Sequence, residues 1–212
     1  NLLAGQLAVS LNNALLYRHL EAKVAERAAA LEAANAQLEA LSITDQLTGL
    51  ANRRRFDEAL EASWRTALAG GTAVGIVLVD VDHFKRYNDH YGHQAGDACL
   101  RKIATALAGS VRRASDLVCR YGGEEFALVL PDSDERHARV VAERARAAVA
   151  ALDEPHARAD AGIVTLSAGV AAIRPSPGDG SEALVKAADD ALYEAKSLGR
   201  NRIAVAGAII GR

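Results

Sequence analysis

The chain of 212 residues is long enough for one folded domain plus an extension, and 25 Lys+Arg against 27 Asp+Glu leave a net charge of −2, which excludes the global basic field of a general nucleic-acid binder. Hydrophobic residues at 50% with 25% charged describe a globular chain, not a disordered one. The longest apolar run, residues 73–79, is far too short to cross a bilayer, and only Cys99 and Cys119 are present, which excludes a disulfide scaffold and points to a reducing, cytoplasmic compartment.

Composition divides the sequence near residue 42. Residues 2–41 contain no Pro and a single Gly, and from Glu21 onward they are dense in Ala, Glu, Lys and Arg. This predicts one long helix, which at about 40 residues would reach roughly 60 Å. Leu20, Val24, Arg27, Leu31, Ala34, Leu38 and Leu41 are spaced 4, 3, 4, 3, 4, 3, a heptad seam. Leu16 to Leu20 to Val24 adds a stutter. A lone helix has no core of its own, so residues 1–41 are expected to form a parallel coiled coil that makes the protein a homodimer. The chain begins at Asn1 without Met or a signal peptide and is expected to be a piece of something longer.

Residues 42–212 alternate between helix and strand patterns. Asn52 is placed to cap a helix carrying Phe56, Leu60, Trp64 and Leu68, stopped by Gly70 and Gly71. Residues 73–81 read as a buried strand, and Leu100, Ile103, Leu107 and Val111 mark a helix. Strands at 117–121 and 124–130 are joined by Gly122 and Gly123 as a tight hairpin. A helix around Val141 and Ala148, a strand at 163–173, a helix through Leu184, Ala188, Leu192 and Ala195, and a strand at 202–206 follow. The order βαββαβ with an added terminal element predicts an α+β domain, helices covering a mostly antiparallel sheet.

Acidic residues at strand ends are the informative feature. Asp80 and Asp82 close the most apolar strand, and Glu124 and Glu125 follow the hairpin glycines. If these strands are neighbours, three or four carboxylates converge on one rim. Such hard oxygen ligands suit Mg²⁺ together with substrate phosphates. From spacing alone, solvated strand ends fit equally well. Lys85, Lys196 and Arg200 favour the metal reading, because together they neutralise a polyphosphate; Lys196 and Arg200 also fit as cations complementing a helix C-terminus.

These residues carry a resemblance. Tyr121-Gly-Gly-Glu-Glu-Phe126 is similar to the signature of the GGDEF family, the diguanylate cyclases, in its GGEEF form. Asp45-Gln-Leu-Thr-Gly-Leu-Ala-Asn-Arg-Arg54 resembles the family's opening motif, and Asp80-Val-Asp-His-Phe-Lys85, Asn88 and Tyr91-Gly-His-Gln-Ala-Gly-Asp97 its metal and base-recognition segment. Tyr193-Glu-Ala-Lys-Ser-Leu-Gly-Arg-Asn-Arg202 resembles its closing motif, so all blocks stand in order between residues 42 and 206. Residues 2–17 resemble the last helix of GAF domains, implying an N-terminal sensor domain that this sequence does not include.

The resemblance implies a nucleotidyl-cyclase, polymerase-palm-like fold and a reaction that joins two GTP into cyclic di-GMP with release of two pyrophosphates. It implies a pair of Mg²⁺ or Mn²⁺ ions per active site, held by Asp80, Glu124 and the Val81 carbonyl, with Glu125 as ligand or proton acceptor. Lys85, Lys196 and Arg200 would hold the β- and γ-phosphates, helped by backbone N–H groups near His83 and Phe84. Asn88 and Asp97 would read guanine, since a carboxylate accepts from N1–H and N2–H₂. Gly122 and Gly123 would let the backbone approach the nucleotide. Arg113 and Asp116 match an RxxD inhibitory motif that grips cyclic di-GMP, with Arg144 as a partner from another domain. One domain holds one GTP, so the coiled coil would bring two half-sites together.

His90 and His93 are read as surface or helix-end residues, Cys119 as core filler, and Arg53, Arg54 and Arg55 as solvated or acid-paired. The competing function is an inactive GGDEF module that binds cyclic di-GMP or GTP as an effector. The presence of Asp80, Lys85, Asn88, Asp97, Glu124, Glu125, Lys196 and Arg200 argues against it.

Overall fold

The structure is a computed structural model that describes residues 43–207 continuously and, upstream, residues 18–21, 23–24, 26–28 and 31. The chain divides into two units, residues 1–42 and 43–212. In the first, the described residues are helical, and Leu20, Val24 and Leu31 of the seam are exposed. Leu16, Ala34, Leu38 and Leu41, and the GAF-like residues 2–17, lie outside the described residues. Among the described residues no helix is long and apolar enough to cross a membrane.

The second unit opens with α1, Arg53–Gly70, where the Asn52 side chain accepts from the Arg55 N–H and Gly71, at φ 64°, closes the C-terminus. Phe56, Leu60, Trp64 and Ala67 form its buried stripe, whereas Leu68, expected in that stripe, is exposed. Strand β1, Val74–Val81, then leads into two helices, α2 at Phe84–Tyr91 and α3 at His93–Ala108. The sequence predicts one helix here. Gly92, at φ 85°, breaks the path after α2, and Val111 lies beyond the end of α3.

Strands β2, Leu117–Gly122, and β3, Glu125–Pro131, form the hairpin, followed by α4, Glu135–Ala150, and β4, Leu166–Ile173. Helix α5, Ser181–Ser197, and the short β5, Ile203–Val205, complete the unit. The hairpin turn is displaced by one residue from the expectation. A register shift between Arg120 and Gly122 draws Gly122 into β2, so Gly123 and Glu124 make the turn.

The sheet runs β2-β3-β1-β4-β5, antiparallel except for the parallel β4–β5 pair. Period-two alternation along β1 divides the core. Val74, Ile76 and Leu78 pack with Phe56, Trp64, Leu184 and Leu192 of α1 and α5, whereas Val77, Val79 and Val81 pack with Ile103, Leu107 and Val141 of α3 and α4. Asp80 has the parity of the α1/α5 face, which puts it within reach of the end of α5.

Candidate active site

Antiparallel register sets the acids. Asp80 pairs with Glu125 across β1 and β3, and the Val81 N–H donates to the Glu124 carbonyl at 3.3 Å. Burial raises the Asp80 carboxyl above the ordinary aspartate range, and the nearby Glu124 and Asp82 charges add to that, against the lowering effect of Lys196. Glu125 is raised too, by burial first and then by Asp80. Mutual repulsion of this kind is relieved by a cation. The structure already supplies one: the Lys196 ammonium, from the last turn of α5, lies 2.8 Å from Asp80 Oδ2. The lysine expected on phosphate therefore sits on the acid at the rim.

Asp82 does not join that rim. It is 2% exposed, its Oδ1 accepting from Ser167 Oγ at 2.7 Å and its Oδ2 from Thr165 Oγ1 at 2.7 Å and the Asn201 N–H at 3.0 Å. A buried carboxylate satisfied by three donors is a structural tie. Asp82 joins the end of β1 to β4 and to the α5–β5 turn that carries Arg200.

Asp80, Glu124 and Glu125 offer oxygen donors on one rim, which fits a hard divalent cation. Among the described residues no three His, Cys, Asp or Glu side chains stand so that they could hold a metal ion by themselves. Mg²⁺ needs only one or two carboxylates from a protein and fills its other positions with water and substrate phosphates.

Next to the acids the chain makes a left-handed turn. His83 caps α2 at φ 57° and ψ 26° with no side-chain cap bond, leaving the first amides of α2 open to an anion. Burial, then the charges of Arg200 and Arg86, depress the His83 imidazole pKa, which places Arg200 beside this turn. Phe84 is buried and Lys85 exposed.

One turn along α2 from Phe84 and Lys85, Asn88 lies against Gly96 of α3. An added Cβ at Gly96 would come within 1.9 Å of Asn88 Oδ1, so the glycine makes room for the amide. Asn88 Oδ1 is buried and accepts no hydrogen bond, an unusual state that calls for a donor. Asp97, one residue on, is exposed.

The opening motif braces the signature turn. Asp45 accepts from the Thr48 N–H and Oγ1 at 2.9 and 2.6 Å and from Arg120 Nη1 at 3.2 Å, while Arg120 Nε donates to the Gly123 carbonyl at 2.8 Å. Burial alone would raise the Asp45 pKa, but the Thr48 bonds and the Arg120 charge outweigh it and hold the carboxyl below its ordinary value. A depressed acid stabilises the fold above the unfolded-state pKa and loses that contribution as pH falls through the folded one. Asp45→Asn is accordingly expected to lower the melting temperature by a few degrees at pH 7, as loss of about 1–2 kcal/mol implies. The deficit should shrink below pH 3.8. A pH series of thermal melts checks both.

The RxxD residues are tied locally. Arg113 Nη1 donates to the Asp132 carbonyl at 3.1 Å and to Ser133 Oγ at 3.3 Å, and Arg144 Nη1 to the Ser110 carbonyl at 2.7 Å. Asp116 Oδ2 accepts from the Arg113 N–H, whereas its Oδ1 is buried without a partner. Cys119 is fully buried, and burial pushes its thiol up to about 12, the state of a core filler. Arg54 and Arg55 pair with Glu58, and Arg53 lies 4.5 Å from the Tyr121 ring centre.

Comparison with known proteins places these motifs in context. The family described as diguanylate cyclase, GGDEF domain, matches residues 42–202. The response regulator PleD of Caulobacter vibrioides is 46% identical over 165 residues, 77% of this chain and 36% of that protein. The diguanylate cyclase VdcA of Vibrio cholerae is 40% identical over 162 residues, 76% of this chain and 46% of that one. The chain thus spans less than half of either relative. The crystal structure of the coiled coil and GGDEF domain of DgcB from Caulobacter crescentus, in complex with c-di-GMP, superposes with a TM-score of 0.71 at 34% identity, covering 88% of this chain and 99% of that one.

Proposed function

The chain belongs to the GGDEF-domain family of diguanylate cyclases, and on that premise we propose that it joins two GTP molecules into cyclic di-GMP, releasing two pyrophosphates. The observation that carries the reading is the pairing of Asp80 with Glu125 beside the signature turn, with the Lys196 ammonium already drawn to Asp80. Asp80, Glu124 and the Val81 carbonyl would hold Mg²⁺ or Mn²⁺, two per site, and Glu125 would serve as a further ligand or proton acceptor. Such ions would supply a lowered pKa for the attacking 3′-hydroxyl and would offset the charge of the leaving pyrophosphate.

The protein's own groups do the rest. Lys85, Arg200 and the amides near His83 and Phe84 grip the β- and γ-phosphates, and Lys196 exchanges Asp80 for phosphate as nucleotide arrives. Asp97 accepts from guanine N1–H and N2–H₂, and the Asn88 amide completes its hydrogen bonds on the base. Gly122 and Gly123 leave the backbone bare where the nucleotide crosses the hairpin. Each 3′-hydroxyl attacks the α-phosphate held by the facing domain, so the active species is a homodimer, assembled through the N-terminal coiled coil below a sensor domain. The reaction runs in the cytoplasm. The test is pyrophosphate release from GTP by the chain beside Glu124→Ala; equal release from both sinks the assignment.

Cyclic di-GMP also inhibits, held by Arg113 and Asp116 with Arg144 of a facing domain. Arginine suits this ligand because it pairs with phosphate and stacks on guanine, and the unpaired Asp116 Oδ1 offers an acceptor to the base. Arg113→Ala is expected to leave the first turnover unchanged while product accumulates several-fold further. Progress curves that bend as early as the parent's would remove the site.

A further inference from the structure

We infer that His156 is a positioning residue: through the carbonyl of His83 it sets the left-handed turn that receives the triphosphate. The inference rests on the cyclase reading of the site.

His156 lies in the loop between α4 and β4 and is 0% exposed, the only fully buried imidazole among the described residues. Its Nδ1 accepts the Arg158 N–H at 3.3 Å, which leaves the proton on Nε2. Nε2 lies 3.2 Å from the His83 carbonyl and donates to it. The ring stands edge-on to Tyr87, with centroids 5.3 Å apart. An apolar ring would pack there as well, so packing alone does not account for a polar side chain at full burial. The hydrogen bond does.

The bond reaches the residue that needs holding. His83 has positive φ, a backbone state that a non-glycine residue keeps only when its surroundings over-determine it. That state turns the first amides of α2 toward the phosphates. The same loop meets α2 twice more: Tyr87 Oη donates to Glu154 Oε1 at 3.1 Å, and Tyr91 Oη accepts from the Ala157 N–H at 3.1 Å. It therefore acts as a strap along the helix that carries Lys85 and Asn88, with His156 fastened at the phosphate end.

The test compares His156→Phe, which keeps a ring against Tyr87 but donates nothing, with His156→Gln, which restores a donor. Affinities for GMP and for a GTP analogue with a carbon α–β bridge are measured by calorimetry in Mg²⁺, alongside melting temperature. The Phe variant should bind the analogue roughly tenfold more weakly, the cost of one lost buried hydrogen bond, and GMP within about twofold of the parent. In turnover KM for GTP rises while kcat holds, and the Gln variant recovers most of the loss. In the parent, the analogue should shift the His156 Nε2–H resonance and GMP should not, a readout that needs no variant to fold. A Phe variant that binds both nucleotides as the parent does, or loses both equally, overturns the inference, as does an unmoved His156 resonance. A parent that binds neither nucleotide overturns the cyclase reading and this inference with it.

Discussion

Asp80→Asn is expected to lower GTP turnover by on the order of 10³-fold and, at the same time, to raise the melting temperature of the metal-free protein. The first effect follows from removing a charged oxygen at the rim proposed to hold cation and phosphates. The second follows from linkage. Burial holds the Asp80 carboxyl above its ordinary value of 3.8, and Glu124 and Asp82 reinforce this against Lys196. A raised acid is at its most stabilising below the unfolded-state pKa and loses that contribution as pH rises through the folded one, so at pH 7 the ionised form is a cost. An amide of the same shape escapes it. Melts in chelator should show the variant ahead of the parent at pH 7, the gap closing as pH falls toward 3.8. A variant that melts lower at pH 7 would mean that the Lys196 pair outweighs burial.

Gly96→Ala is expected to weaken GTP binding by roughly 10- to 100-fold at nearly unchanged stability. The new Cβ would sit 1.9 Å from Asn88 Oδ1 and 3.3 Å from Phe84 Cζ. The far end of an asparagine rotates away cheaply, and Ala in place of Gly favours the helix by about 1 kcal/mol, so the fold tolerates the change. What moves is the amide assigned to the base. Asn88→Ala should cost as much, and the double variant little more than either, because both remove one interaction. Additive losses would separate Gly96 from Asn88. KM for GTP and for ATP in each variant provides the measurement.

Most of this fold is legible in the sequence where periodicity is strong. The run 73–81, the β2–β3 pair and the stripe Leu184, Ala188, Leu192, Ala195 all appear where apolar spacing puts them. Helix α2 was not legible: FKRYNDHY has no aliphatic repeat over its length, and its start depends on a left-handed His83, a state that His enters more often than most residues but that no spacing marks. The glycine pair signals a turn, yet a bulge shifts it so that Glu124 itself occupies the bend.

The acids show the same limit. Spacing gives Asp80 and Asp82 the same parity, Asp82 lying one residue past β1, but their fates differ through what lies opposite. Asp80 meets Lys196, whereas Asp82 meets Thr165, Ser167 and Asn201, partners remote in sequence. His156 carried no signal at all, since only the tertiary path of its loop brings it to His83.

The most direct measurement is the identity and stoichiometry of what the protein makes from GTP and Mg²⁺, followed by mass spectrometry and a pyrophosphate assay. Cyclic di-GMP with two pyrophosphates per molecule, absent with Glu124→Ala, is the expected result. A chain that binds no GTP, or releases pyrophosphate without forming the cyclic dinucleotide, would contradict it.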